Sequence, residues 1–244
     1  MSLKAIAQNP IAILATPKTG NLWIKYVLVN VLGMSSDQFF NNQDIINYFA
    51  NAQSNRQIVF HAHLPYTSTL HNILITNKII TISLVRNPLD IFLSLRSHVS
   101  RLGSASAQQG QILSEDPELI RDFARTYFLG DLGISAMWSR RDAILLRYED
   151  LITDPLSGFA EMGRKLGVPD PEIEQFAISC TRMSDIQEMR ANARPGEAGH
   201  FTSAEIDKWK RPENRGVVSI LLQSPPIRSA LRLWGYSECS DAFG

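Results

Sequence analysis

Three groups of residues in this chain could together bind an anion and move a proton: a loop lysine, a histidine pair and an arginine. Lys18 lies in a tight loop, residues 17–20 (PKTG), between the apolar run 11–15 and an amphipathic stretch that ends at Gly33. A strand, loop and helix in this order direct free backbone N–H groups and a lysine at one point. The segment therefore predicts a site for a phosphate-like anion.

This loop differs from the usual nucleotide-triphosphate loop. The pattern G-x-x-x-x-G-K-[ST] needs a lysine after its second glycine, whereas Lys18 precedes Gly20. The order argues against an ordinary kinase or GTPase.

The histidine pair consists of His61 and His63, which flank Ala62 at the end of an apolar run. Residues two apart on a strand point to the same side, so the two rings are expected on one face. An imidazole can be neutral near pH 7 and take the proton from an attacking hydroxyl. The pair is therefore a candidate source of a general base.

The arginine is Arg86, which follows another apolar run and precedes Pro88. A guanidinium group can bind a phosphate with two parallel hydrogen bonds. Ser94 lies two turns into the helix that begins near Pro88, so it meets Arg86 only if the loop folds back.

The loop followed by Trp23 resembles the 5′-phosphosulfate loop of the cytosolic sulfotransferases, which use 3′-phosphoadenosine-5′-phosphosulfate (PAPS). Three further segments match that family in the same order, and with residues 148–151 (YEDL) the resemblance runs from residue 11 to about residue 201. These segments are 61–65 (HAHLP), 86–94 (RNPLDIFLS) and 194–201 (RPGEAGHF).

The resemblance implies roles for the catalytic residues and for the loop. Lys18 would contact the bridging oxygen of the phosphosulfate, where negative charge develops, and His63 would be the general base. His61 stands where the family has a lysine, and its role stays open. The loop residues implied for the 5′-phosphate are Pro17, Lys18, Thr19, Gly20, Asn21 and Leu22. Leu22 replaces a threonine and so loses a side-chain donor.

The resemblance also implies the rest of the nucleotide site. Arg86 and Ser94 would bind the 3′-phosphate, and Trp23 would stack on adenine. Pro195 replaces a lysine of the family's late loop, which removes one phosphate donor. The remaining residues implied for nucleotide binding are Tyr148, Thr181, Arg182, Met183, Arg194 and Gly196.

The apolar pattern predicts an α/β fold: a three-layer sandwich around a central parallel sheet, similar to P-loop folds. Short and nearly continuous apolar runs are typical of buried parallel strands, and ligands bind at the carboxyl ends of such strands. The predicted strands are 11–15, 57–61, 79–85 and 143–148. The predicted helices are 21–32, 88–101, 117–138, 155–166 and 171–180. Residues 103–111 and 194–216 are expected to be loops, either of which could act as a lid.

The composition indicates one domain over residues 1–244. The chain is 44% hydrophobic, and its 24 Lys and Arg residues balance 24 Asp and Glu residues. This balance gives no reason to expect a nucleic acid or a membrane as partner. No run approaches the ~20 apolar residues of a membrane span, and the two cysteines fit reduced thiols, so a cytoplasmic protein is expected.

Taken together, the residues and the resemblance predict a PAPS-dependent sulfotransferase. It would transfer the sulfuryl group to a hydroxyl or amine of a small-molecule acceptor, release 3′-phosphoadenosine 5′-phosphate (PAP) and need no metal. The acceptor pocket is expected to lie among segments 39–50, 64–72, 103–113 and 120–138. Two alternatives remain open: a non-catalytic protein that binds PAP or another nucleotide, and a nucleotide kinase of related topology. The oligomeric state is open as well.

Overall fold

Five parallel strands form a central sheet in the computed structural model, which describes residues 8–51, 56–102, 106–185, 187, 189, 205–236 and 239. The strands are β1 (Ile11–Leu14), β2 (Ser35–Gln38), β3 (Ile58–Ala62), β4 (Ile80–Val85) and β5 (Ile144–Arg147). They lie side by side in the order β2-β3-β1-β4-β5. The order places β1 at the centre, so the loop that follows it lies between the ends of β3 and β4.

Helices connect and follow the strands. In chain order they are α1 (Asn21–Leu32), α2 (Asn42–Ala50), α3 (Ser68–Thr76), α4 (Pro88–Leu102), α5 (Ala107–Leu113), α6 (Pro117–Phe123), α7 (Leu129–Trp138), α8 (Tyr148–Thr153), α9 (Pro155–Leu166), α10 (Asp170–Met183), α11 (Arg215–Leu222) and α12 (Pro225–Leu233). A π-helix, Ala124–Phe128, joins α6 to α7, and short 3₁₀ turns cover Lys208–Lys210 and Pro212–Asn214. None of the helices in the described ranges is long and apolar enough to span a membrane.

The central strand explains why both faces of the sheet are covered. Side chains alternate along a strand, and all four residues of β1 are fully buried. Ile11 and Ile13 pack in a core with α1, α9 and α10, while Ala12 and Leu14 pack in a second core with α2 and α3. A third core lies away from β1, where α4, α6, α7, α11 and α12 pack together.

The predicted fold class is confirmed, and the four predicted strands are present with each end within one residue of its prediction. The sequence did not reveal β2, because its residues SSDQ are mostly exposed at the edge of the sheet and carry no apolar pattern. The predicted helix over 117–138 is interrupted by the π-helix.

The predicted loops are partly wrong. Residues 107–113 form α5, whose first turn is closed by a capping box between Ser106 and Gln109. Residues 208–210 and 212–214 are 3₁₀ turns, and α11 begins at Arg215. Residues 103–105 and 194–204 lie outside the described part of the chain.

Ser135 on α7 forms hydrogen bonds to both the sheet and the loop after β1. Its hydroxyl accepts a hydrogen bond from the Thr16 N–H at 2.8 Å and donates one to the Leu84 carbonyl at 2.7 Å. Ser135 and Thr16 are both fully buried. Because a buried N–H group needs an acceptor, this serine fixes where the loop leaves β1.

We expect Ser135→Ala to lower the free energy of unfolding by about 1–3 kcal/mol, since it leaves the buried Thr16 N–H without its acceptor. Ser139→Ala is the matched control, one turn later on the half-buried end of α7, and should cost about 0.5 kcal/mol or less. Urea denaturation of both variants measures the difference. Equal losses would mean that Ser135 has no special role in holding the loop.

Candidate active site

The loop after β1 has the backbone that an anion site needs. Lys18 has φ 67° and Gly20 has φ 100°, so the chain turns sharply before α1 begins. The N–H groups of the first helical turn point out of the helix end, where they have no helical partner. A Cβ atom on Gly20 would come within 2.9 Å of the Tyr148 ring, so only glycine fits between the loop and α8.

Hydrogen bonds inside the loop use the side chains of Thr19 and Asn21. The Thr19 hydroxyl lies 2.8 Å from the Thr16 carbonyl and 2.9 Å from Asn21 Oδ1. The Asn21 amide donates to the Thr16 carbonyl at 3.1 Å. Asn21 therefore shapes the loop, and Leu22 next to it packs against the core.

His63 lies just past the end of β3, and its ring is oriented by the loop. Its Nδ1 is 2.8 Å from the carbonyl oxygen of Ala15. A carbonyl can only accept, so Nδ1 carries the proton and the lone pair of a neutral ring lies on Nε2. The Asn21 amide is 3.3 Å from the same Nδ1, but it has carbonyl acceptors of its own. The neutral ring is therefore left with Nε2 as its proton acceptor.

The pKa values of His63 and Lys18 are both lowered from their ordinary values. For His63 the main cause is loss of hydration, followed by the charge of Lys18, and the bond to Ala15 opposes both. For Lys18 burial lowers the pKa to about 8, with further repulsion from Arg101, Arg86 and Lys208. The site thus favours a neutral imidazole beside a cation that is still protonated at neutral pH.

Arg86 ends β4 and is buried. It donates to the Lys18 carbonyl at 3.0 Å and to the Glu205 carbonyl at 2.8 Å, and its guanidinium carbon lies 4.3 Å from the centre of the Tyr148 ring. Its Nε is buried and has no partner among the described residues. One guanidinium group therefore joins the loop and the segment at Glu205, and it still has donors for a ligand.

Trp23, predicted to stack on adenine, also contacts Tyr148. Trp23 contacts the rings of Tyr148 and Phe159 at 5.7 and 5.9 Å, and its indole donates to the Ser184 carbonyl at 3.1 Å. This contact brings the end of α10 to Trp23. Thr181 on α10 has a buried hydroxyl without a partner among the described residues, and Met183 packs on the same core.

The remaining residues predicted for the nucleotide or the acceptor differ in burial, and two of them are not described. Ser94 is half-buried on α4, and Arg182 is exposed at the end of α10. Arg194 and Gly196 lie outside the described residues. Phe128, in a segment predicted to line the acceptor pocket, is fully buried in the third core and therefore packs rather than binds.

Sequence reasoning missed two cations beside Lys18. Arg101, near the end of α4, and Lys208, in the first 3₁₀ turn, are close enough to repel the Lys18 charge. Arg101 stands one heptad after Ser94, which is a helical spacing that could have pointed to it. Lys208 lies in the basic stretch 208–211, which has the composition of an ordinary surface loop, so no local pattern pointed to it.

Lys18, His63 and Arg86 all lie just past the carboxyl ends of β1, β3 and β4, and hydrogen bonds to the loop after β1 hold His63 and Arg86 at the same edge of this α/β sheet. Residues 8–213 match a sulfotransferase domain, and the chain belongs to that family.

Comparisons with known proteins agree with this assignment. A crystal structure of mouse sulfotransferase SULT7A1 complexed with PAP has a TM-score of 0.65 at 17% identity, covering 100% of this chain and 94% of that one. A crystal structure of retinol dehydratase with retinol and PAP has a TM-score of 0.60 at 13% identity, covering 92% and 82%. Carbohydrate sulfotransferase 3 of Tetronarce californica is 27% identical over 113 residues, which are 46% of this chain and 24% of that protein.

Removing the Lys18 charge should raise the pKa of His63. The cation disfavours the protonated imidazole, so Lys18→Met relieves that repulsion. The titration of the His63 Hε1 signal by NMR measures the pKa, with His63→Gln assigning the signal. Lys165→Met, whose lysine pairs with Glu161 on α9, is the control and should change nothing. A His63 pKa that stays the same or falls in Lys18→Met would show that the two groups are not coupled.

Proposed function

We propose that this chain is an enzyme that transfers the sulfuryl group of PAPS to a hydroxyl or amine of a small-molecule acceptor. The observation that carries the proposal is the convergence of Lys18, His63 and Arg86 at one edge of the sheet, with His63 oriented by the loop that bears Lys18. Membership of the sulfotransferase family supports it.

His63 acts as the general base in this reaction. Its bond to the Ala15 carbonyl keeps the proton on Nδ1, and Nε2 takes the proton of the acceptor as the acceptor oxygen or nitrogen bonds to sulfur. The lowered pKa of His63 keeps the ring neutral before the transfer.

Lys18 stabilises the leaving group. PAPS, when bound, supplies the sulfuryl group and leaves as PAP after the bond from sulfur to the bridging oxygen breaks. The negative charge that develops on that oxygen is matched by the Lys18 ammonium and by N–H groups of the loop. Because positioned cations and dipoles supply this stabilisation, the proposal assigns no role to a metal.

The residues present fit a nucleotide with a 3′-phosphate. Arg86 is buried with an unpaired Nε among the described residues, and the Thr181 hydroxyl near the end of α10 also lacks a partner there. Both are donors that a ligand would satisfy. We assign Arg86 to the 3′-phosphate and Trp23, Thr181 and Met183 to adenine.

The acceptor class stays open. Retinol is named in the crystal structure of one structural neighbour, whereas another relative is named a carbohydrate sulfotransferase. The first name describes a lipophilic alcohol and the second describes carbohydrates. The acceptor panel should therefore include both a lipophilic alcohol and a saccharide.

We expect His63→Ala to lower turnover by ~10²–10⁴ and to leave PAP affinity within about twofold, because a general base acts in the chemical step. Transfer of ³⁵S from labelled PAPS to an acceptor panel, with EDTA present, measures turnover, and calorimetry measures PAP affinity. His71→Ala on α3, whose ring packs near Tyr66 in a segment predicted to line the acceptor pocket, is the histidine control: it should change at most the KM for the acceptor and leave turnover at saturating acceptor unchanged. PAP binding without ³⁵S transfer by the wild type would favour a non-catalytic binding protein. Transfer that EDTA abolishes and Mg²⁺ restores would contradict the metal-free mechanism.

The pH dependence of kcat/KM for PAPS should be bell-shaped. Activity should rise as the pH passes the His63 pKa, which lies below 6.5, because the base must be neutral. It should fall as the pH passes about 8, because Lys18 must be protonated to stabilise negative charge. In Lys18→Arg the alkaline limb should disappear, since a guanidinium keeps its charge throughout this range. An alkaline limb of unchanged position in that variant would assign it to another group.

A further inference from the structure

The stretch of residues 205–211 lies against the start of α4 although it is more than 110 residues away in sequence. Arg86 donates to its first carbonyl, that of Glu205, at 2.8 Å. Asp90 on α4 accepts hydrogen bonds from the backbone N–H groups of Asp207 at 2.7 Å and Trp209 at 3.0 Å. Three hydrogen bonds from two buried side chains therefore fix the path of this stretch.

Burying the Asp90 carboxylate costs hydration free energy, and its hydrogen bonds to the backbone of residues 207 and 209 offset that cost. Its side chain is only 1% exposed, and burial raises its pKa, while Arg86 and the two N–H groups oppose that shift. A buried carboxylate is tolerated where hydrogen bonds and a nearby cation compensate for lost hydration. Asp207, which the carboxylate holds, has φ 62°, an uncommon conformation for a non-glycine residue. The bend at Asp207 directs the next residue, Lys208.

Lys208 and Lys210 stand two residues apart in the same turn, and their surroundings differ. The Lys208 side chain is 13% exposed, whereas that of Lys210 is 50% exposed and pairs with Asp207. Lys208 also lies close enough to Arg86 for the guanidinium to disfavour its charge, and it repels Lys18 in turn. Lys208 is therefore half-buried like Lys18, whereas Lys210 belongs to the surface.

Two carboxylates, those of Glu205 and Asp90, partly oppose the repulsion that Lys208 meets. The Glu205 carboxylate lies 3.4 Å from the Lys208 ammonium and 3.3 Å from the Arg211 guanidinium, and it is 42% exposed. It is thus shared between two cations and partly screened by solvent. The positive charges of Lys18, Arg86 and Lys208 repel one another, and an anion bound between them would offset that repulsion.

We propose that Lys208, positioned by the clamp of Asp90 on the backbone of residues 207 and 209, is a further binding residue for the 3′-phosphate beside Arg86. The inference rests on the proposed function, since it assigns Lys208 to a group of the same nucleotide. The competing explanation is that Lys208 only forms a structural ion pair with Glu205.

Calorimetry at pH 7 and low ionic strength with PAP and with adenosine 5′-phosphate tests the proposal. Lys208→Gln should weaken PAP about tenfold, as expected for one lost charge-assisted hydrogen bond, and adenosine 5′-phosphate less than about twofold. Lys208→Arg should keep most of the PAP affinity because it keeps the charge. Lys210→Gln is the matched control and should leave both affinities unchanged. Thermal unfolding of each variant reports on folding.

Each other outcome has a definite meaning. An unchanged PAP affinity in Lys208→Gln, or an equal loss of affinity for both nucleotides, overturns the assignment of Lys208. The proposed function still holds in that case if the wild-type protein binds PAP more tightly than adenosine 5′-phosphate. An equal loss accompanied by a lower melting temperature supports the structural ion pair instead. A wild type that does not distinguish PAP from adenosine 5′-phosphate overturns the proposed function itself.

Discussion

The buried guanidinium of Arg86 is the interaction on which the rest of the site depends. It donates to the carbonyls of Lys18 and Glu205 and lies over the ring of Tyr148. Four separate parts of the chain therefore meet at one planar cation: the loop after β1, the end of β4, the start of α8 and the stretch at Glu205. A lysine could not replace it, because a point charge lacks the fixed set of donors that reaches several acceptors at once.

Burial and the same crowding of cations set the chemistry of the site. Burial and neighbouring positive charges lower the pKa of Lys18 to about 8, and the Lys18 charge in turn lowers the pKa of His63. Loss of hydration is the main cause that keeps the His63 imidazole neutral, and the Lys18 charge adds to it. An anionic nucleotide would offset the Lys18 charge, so binding and the readiness of His63 are linked through Lys18.

Much of the fold followed from local patterns. The apolar runs that became β1, β3, β4 and β5 are buried on both faces, which is why continuous hydrophobicity located them. The edge strand β2 was missed because one neighbour and mostly exposed side chains require no apolar pattern. Six helices in the described ranges were missed because all of them are short, with six to nine residues, and depend on packing in one of the three cores. They are α2, α3, α5, α8, α11 and α12.

The sequence by itself determined the order of strand, loop and helix around Lys18, the histidine at the end of β3 and the arginine at the end of β4, because each depends on neighbours within a few residues. Only the tertiary structure decided the tautomer of His63, the contact of Arg86 with Glu205 and the approach of Lys208 to Arg86. Those contacts join residues up to 119 positions apart, such as Asp90 and Trp209. Their partners are chosen by how the helices pack on the sheet, and no local pattern records that choice.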